Sequence, residues 1–273
     1  VLIPGGGIDD GGIDAMTSTR IDVRNVSKVY PAGNREVAAL DDVTLSIRAG
    51  EFVSILGPSG CGKSTLMMII AGLMSRSAGT VSIDGRESNS PLTDVGIVFQ
   101  SDMLLPFRTA LDNVALQGEV RGKPKKEARA DSAAVLTSMG LEKALDRYPS
   151  ELSGGMRQRV SIARAFVHRP STLLMDEPFG ALDAITRIQM QQELERLWLE
   201  DGERKTVVFI THSVEEAVRL SDRVIVLRPS PGRVAEEIVI DAPRPRPIVV
   251  EDDAELTRHS RHIYQLFDRL GII

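Results

Sequence analysis

The stretch Gly57-Pro58-Ser59-Gly60-Cys61-Gly62-Lys63-Ser64-Thr65, entered from the apolar run Phe52, Val53, Ile55 and Leu56, decides the fold. It fits G-x-x-x-x-G-K-[ST], a phosphate-binding loop between a strand and a helix. Glycines let backbone N–H groups turn inward around an anion. The helix that follows points its free N–H groups and positive dipole end at the same spot. Lys63 then reaches the β- and γ-phosphates of a nucleotide, and the Ser64 hydroxyl holds Mg²⁺. Cys61 is placed next to the phosphates; its simpler role is that of a small residue in a tight loop.

Working outward, the chain of 273 residues is long enough for one large α/β domain or two closely joined subdomains. Its 42% hydrophobic and 26% charged residues are those of a soluble globular protein. A net charge of −5 argues against a nucleic-acid partner, which calls for a basic excess. Cys61 is the only cysteine, so no internal disulfide forms, and a reducing compartment is expected. Apolar runs such as Leu66 to Ala71 are too short to span a bilayer, so a membrane role must come through a partner. Residues 1–15, rich in Gly and Asp, read as a flexible tail or expression remnant, with Met16 as the natural start.

Upstream of the loop, alternation at Ile21, Val23, Val26, Val29 and at Val43, Leu45, Ile47 predicts short strands of an antiparallel β layer. Tyr30 precedes the turn cluster Pro31, Gly33, Asn34; it either covers the sheet edge or stacks on a base. Downstream, Lys63 to Leu73 is helical, Thr80 to Ile83 is a strand, and Val95 to Phe99 is a strand ending at Gln100. Residues 101–169 change to helical stretches, an inserted subdomain. Its basic cluster of Arg121, Lys123, Lys125, Lys126 and Arg129 reads as a solvated helix face.

Three further clusters carry chemistry. In Leu152-Ser153-Gly154-Gly155, Ser153 is a good N-cap, and two glycines in the first turn mean either close packing or a second anion site. The run Leu173 to Met175 delivers Asp176 and Glu177 to the C-terminal edge of a buried strand, where α/β sheets bind ligands. Asp176 is placed to hold Mg²⁺ through water, and Glu177 to orient or deprotonate an attacking water. Val207 to Ile210 ends at Thr211-His212, so His212 is one more polar residue delivered to a strand end, after Gln100 and the acids. Trp198 reads as core. Val224 to Leu227 and Val234 to Ile240 close the sheet around Pro229-Ser230-Pro231-Gly232, Ala242 to Pro247 is extended, and Ile263, Phe267 and Leu270 face one way on a terminal helix.

This ordered set resembles the ATPase subunit of an ATP-binding cassette (ABC) transporter from Ile21 to about Ile240. The loop and the Leu-Ser-Gly-Gly signature together arise by chance in roughly one chain in ten thousand. The resemblance implies an α/β fold: a P-loop NTPase core with a mostly parallel central sheet, an N-terminal antiparallel β layer and an inserted α-helical subdomain. It divides the chain into an ATPase domain over 16–240 and a C-terminal segment over 241–273. It implies that Tyr30 stacks on adenine, that Lys63 and the Gly57-to-Thr65 amides hold phosphates, and that Ser64, Gln100 and Asp176 complete the Mg²⁺ shell. Glu177 would act on water and His212 on the γ-phosphate. The signature, Leu152 and Ser153 to Gly155, would bind ATP held by a second ATPase subunit, with Asp183 signalling across the interface of a homodimer.

Met103 to Thr109, Pro229 to Arg233 and Pro243 to Arg246 resemble the nitrate, sulfonate and taurine importer branch, with Phe107 where that branch commonly has Trp. The implied partners are membrane permease subunits and, indirectly, a periplasmic solute-binding protein. The implied location is the cytoplasmic face of the inner membrane. The competing readings are an exporter or lipoprotein-release ATPase and a non-transport ATPase of DNA repair or translation.

Overall fold

A computed structural model describes residues 19–33, 35–200, 204–229 and 231–273; the tail expected over 1–15 lies outside the described residues. In chain order the strands are β1 (Thr19–Ala32), β2 (Arg35–Arg48), β3 (Phe52–Leu56), β4 (Ala78–Ile83), β5 (Arg86–Glu87), β6 (Val95–Val98), β7 (Thr172–Asp176), β8 (Thr206–Thr211), β9 (Arg223–Arg228) and β10 (Arg233–Val239). The helices are α1 (Lys63–Ile70), α2 (Ala110–Val120), α3 (Lys125–Ser138), α4 (Gly154–Phe166), α5 (Ala184–Glu200), α6 (Val214–Leu220) and α7 (Ala254–Arg269).

Among the described residues these strands form two sheets, a four-stranded one in the order β2-β1-β4-β5 and a six-stranded one in the order β10-β9-β3-β8-β7-β6. The first is antiparallel. The second is parallel except for its edge strand β10. Strands β3, β7 and β8 are buried along their whole length, as strands covered on both faces must be. Their side chains sort by alternation. Leu173, Met175, Val207 and Phe209 enter a core built with α4 and α5. Val53, Ile55, Leu174, Val208 and Ile210 enter a core shared with α1 and the antiparallel sheet. Each such fully buried side chain contributes about 1.5–3 kcal/mol relative to exposure.

The antiparallel layer differs from the short strands expected. β1 and β2 each run for 14 residues and stay paired through Tyr30↔Val37 to Ala32↔Arg35. Register shifts beside Val26, with left-handed Asn25 (φ 50) and Asp42 (φ 53), interrupt the alternation without ending the ladder. A bulge mimics a strand end in sequence.

Between β6 and β7 the regular elements are helical: α2, α3, a 3₁₀ turn at Pro149–Glu151 and α4. Of the basic residues there, Lys123 pairs with Asp131 and Arg129 with Asp112. At the C-terminus, α7 buries Leu256, Ile263, Leu266 and Phe267 against Val214, Ala217 and Val218 of α6. The extended segment before it is anchored by Arg246. That buried guanidinium donates to the carbonyls of Val218, Arg219, Ser221, Ile240 and Ala242. Burial and neighbouring Arg244 push its pKa down to about 10.

Candidate active site

Four adjacent strands, β3, β8, β7 and β6, end along one edge of the central sheet, and each delivers one part of the site. After β3 the chain makes the 57–62 loop and enters α1 with Gly62 as a left-handed N-cap (φ 93). A Cβ on Gly62 would lie 2.6 Å from Leu40 Cδ2 and 2.8 Å from the Ala39 carbonyl, so only glycine fits there. The loop is also seated on the turn between β9 and β10. Gly232 donates its N–H to Ala39 O and accepts from Asp41 N, each at 3.0 Å, and a Cβ on it would collide with the Cys61 carbonyl.

Lys63 is only 6% exposed. Its Nζ donates to Gly57 O at 2.8 Å and Pro58 O at 3.0 Å, folding the ammonium across the loop. Cys61 is buried, and burial pushes its thiol up, partly opposed by Lys63. A buried, poorly ionised thiol fits the small-residue role. Tyr30 stands at the loop's rim, its hydroxyl 3.3 Å from Thr65 Oγ1 and donating to Met74 Sδ at 2.9 Å. Lys28 Nζ lies 5.1 Å from the Tyr30 ring centroid.

The other three strand ends converge on Glu177. Its Oε2 accepts from Gln100 Nε2 at 3.2 Å and lies 3.2 Å from His212 Nδ1. Its backbone is left-handed (φ 42), an uncommon state for a non-glycine residue, pinned by donation of Glu177 N to Ile210 O at 2.9 Å. Beside it Asp176 is buried. Burial pushes its carboxyl up and Glu177 adds to this, while the Ser64 hydroxyl that bonds to it and Lys63 act the other way. A desolvated carboxylate, a serine hydroxyl and a nearby amide are hard oxygen donors of the kind Mg²⁺ takes. The residues present therefore fit that ion.

The signature turn is built differently. Leu152 is buried in the helical core, and Ser153 caps α4 by accepting from Met156 N at 3.3 Å. Gly155 has a packing reason, since a Cβ there would lie 2.8 Å from Thr186 Cγ2. Exposed Gly154 has none; its nearest such contact is Arg157 Nη2 at 3.9 Å. Asp183 is exposed and caps the start of α5, with Thr186 N–H donating at 3.0 Å and holding its carboxyl below the usual range. Among the described residues no hydrogen bond joins the signature turn to the 57–65 loop. The structure thus brings Tyr30, the loop, Asp176, Glu177, Gln100 and His212 to one edge, with the signature as a separate element.

Sequence reasoning missed the seat under the loop. Gly232 sits in a recognisable turn cluster, yet only its contact with Cys61 gives it meaning.

Comparison with known proteins agrees with this geometry. The ABC transporter family matches residues 40–180. The chain is 49% identical over 207 residues to the taurine import ATP-binding protein TauB of Rhizobium johnstonii, covering 76% of this chain and 78% of that one. It is 41% identical over 244 residues to the bicarbonate transport ATP-binding protein CmpD of Synechocystis sp., covering 88% and 86%. A dimeric ATP-binding cassette solved in a post-hydrolysis state with ADP and Pi superposes with a TM-score of 0.73 at 38% identity, covering 81% of this chain and 99% of that one. A phosphate loop, an acid pair at a buried strand end and these relatives have one explanation: the chain belongs to the ABC transporter family and is its ATP-binding, ATP-hydrolysing subunit.

Proposed function

We propose that this chain hydrolyses ATP as one half of a homodimer and so powers import of a small solute that carries an anionic group through separate permease subunits. The meeting of Gln100, Glu177 and His212 beside the phosphate loop carries this reading. Lys63 exchanges the Gly57 and Pro58 carbonyls for the β- and γ-phosphates, with the loop amides around them, and Tyr30 stacks on adenine. Ser64, Gln100 and Asp176 would hold Mg²⁺, which neutralises charge on the phosphate oxygens when bound. Glu177 orients the attacking water and takes its proton. With Nδ1 engaged by Glu177, the other ring nitrogen of His212 serves the γ-phosphate. Ser153, Gly154 and Gly155 of the partner subunit complete the site, with Asp183 at the shared interface.

Phe107, 73% exposed, and exposed Met103 follow Gln100 and offer an aromatic socket to a permease helix. No helix among the described residues is long and apolar enough to cross a membrane, so attachment to the cytoplasmic face would come through that socket. A periplasmic solute-binding protein would take part indirectly. The relatives are named for import of taurine and transport of bicarbonate, solutes with small anionic groups, which supports nitrate, sulfonate, taurine or bicarbonate chemistry for the cargo.

The test is Glu177→Gln. It is expected to bind ATP with unchanged affinity, to hydrolyse it about 10²–10⁴-fold more slowly, and to accumulate as an ATP-bound dimer on size exclusion. Turnover at the wild-type rate would overturn the role of Glu177.

A further inference from the structure

Under the turn that carries His212 runs a buried chain of polar side chains. Thr211, 2% exposed at the end of β8, donates its Oγ1–H to Glu216 Oε2 at 2.6 Å and accepts from Ser213 N at 3.0 Å. Glu216, 7% exposed in the first turn of α6, accepts at its other oxygen from Gln191 Nε2 at 3.2 Å. Arg187 Nε lies 3.8 Å from that same Oε1, just beyond hydrogen-bond reach, and makes no hydrogen bond of its own. Arg187 belongs to the start of α5: its N–H donates to Asp183 O at 2.9 Å and its Nη2 to Leu182 O at 3.3 Å.

One buried carboxylate thus faces both the turn that bears His212 and the helix start that bears Asp183. Burying a carboxylate is costly unless its partners satisfy it, and an apolar side chain would fill the space more cheaply. Its place in the first turn of α6, three residues after the N-cap Ser213, suits an acid, but its carboxylate oxygens are engaged by Thr211 and Gln191 rather than by the N–H groups of the helix start. We propose that Glu216 is a positioning residue. It fixes Thr211 and Ser213 on either side of His212, so that the imidazole stays on Glu177. It also links that turn, through Arg187, to the Asp183 turn. When a partner subunit presses on Asp183, Arg187 Nε closes the gap to Glu216, and the His212 turn is locked. The proposal rests on the reading of His212 given above.

The experiment uses the full chain, with kcat and KM for MgATP and the melting temperature measured for each variant. Glu216→Ala is expected to lower kcat about 10- to 100-fold, the cost of misplacing a catalytic group by about 1 Å, with KM little changed. Glu216→Gln, whose amide oxygen still accepts from Thr211, is expected to recover most of that loss. Thr211→Val keeps the volume and the fold, removes only the hydroxyl, and is expected to lower kcat in the same direction. Glu216→Ala added to His212→Ala is expected to cost nothing further, because both act through one group. Unchanged kcat in Thr211→Val, no recovery in Glu216→Gln, or full additivity with His212→Ala would each overturn the proposal. Wild-type turnover in His212→Ala would instead overturn the role of His212 itself, so the two failures are distinguishable.

Discussion

Two helix starts in this chain are rich in glycine, and the chain treats them in opposite ways. The phosphate loop before α1 is enclosed: Lys63 and Asp176 are buried, and Gly57, Gly62 and Gly232 are fixed by neighbours that leave no room for a side chain. The signature turn before α4 is barer: Ser153 and Gly154 are exposed, and among the described residues the side-chain bonds at the turn are its own N-cap and one from Arg157 Nη1 to the Leu152 carbonyl. Both carry the partial positive charge of a helix N-terminus. An anion at the first would be held by this chain alone, whereas an anion at the second would need its other half from elsewhere. On the function proposed above, enclosure marks the half-site that binds, and exposure marks the half-site that completes.

The sharpest way to break this contrast is to disable each start separately. Lys63→Ala is expected to abolish measurable ATP binding in nucleotide titrations. Gly154→Asp has room for its side chain, and is expected to leave monomer affinity and melting temperature unchanged while lowering turnover about 10²–10³-fold. A mixture of the two inactive chains should regain activity, because a mixed dimer pairs the intact loop of one chain with the intact signature of the other. Random pairing makes about a quarter of all sites complete, which sets the expected recovery. No recovery on mixing would mean that the two starts do not share a nucleotide.

A smaller effect separates binding from stability on the enclosed side. Asp176 is held in a site that penalises its ionised form, mainly through burial. Its folded pKa is raised, so the penalty is present above that pKa and is relieved as pH falls through the carboxylate range. Asp176→Asn is therefore expected to lower turnover about 100-fold or more while raising the melting temperature of the nucleotide-free protein at neutral pH. The gain should shrink on acidification. A fall in melting temperature at neutral pH would show that Asp176 is held by its hydrogen bond with Ser64 more than it is strained by burial.

The parts of this molecule that were legible in sequence are those whose chemistry is local. Gly57 to Thr65, Ser153 to Gly155 and the Asp176-Glu177 pair each need fixed residue types at fixed spacing, so the pattern is the signal. The helix that Ser153 is placed to cap is found over Gly154–Phe166 for the same reason, a cap followed by an apolar period. The long β1–β2 pair was hidden because bulges at Asn25 and Asp42 break the two-residue period without breaking the pairing. Gly232, Arg246 and Glu216 were hidden because partners of each are distant in the chain or belong to the backbone, and backbone carbonyls have no sequence. The cargo is illegible on other grounds: on the function proposed above, the solute passes through separate permease subunits and not past these side chains.

The contrast between the two helix starts extends to their response to acid, the smallest effect expected. Just beyond the far end of α4, His168 is half-buried, and neither ring nitrogen has a hydrogen-bond partner among the described residues. Burial, with Arg121 adding to it, pushes its pKa down to about 4. A base with a depressed folded pKa contributes stability that is intact above about 6.5 and is lost as pH falls through 4, because only the unfolded chain takes up the proton in between. With allowance for partial exposure the loss at pH 5 is about 1 kcal/mol, or ~2–4 °C in a domain of this size. The signature-helix side should therefore weaken over a range in which the phosphate-loop side, through Asp176, gains. His168→Gln cannot take up the proton and should flatten the fall in melting temperature between pH 7 and pH 5, whereas Asp176→Asn should steepen it. An unchanged acid slope in His168→Gln would place the sensitivity elsewhere and leave the enclosed and exposed halves alike in this respect.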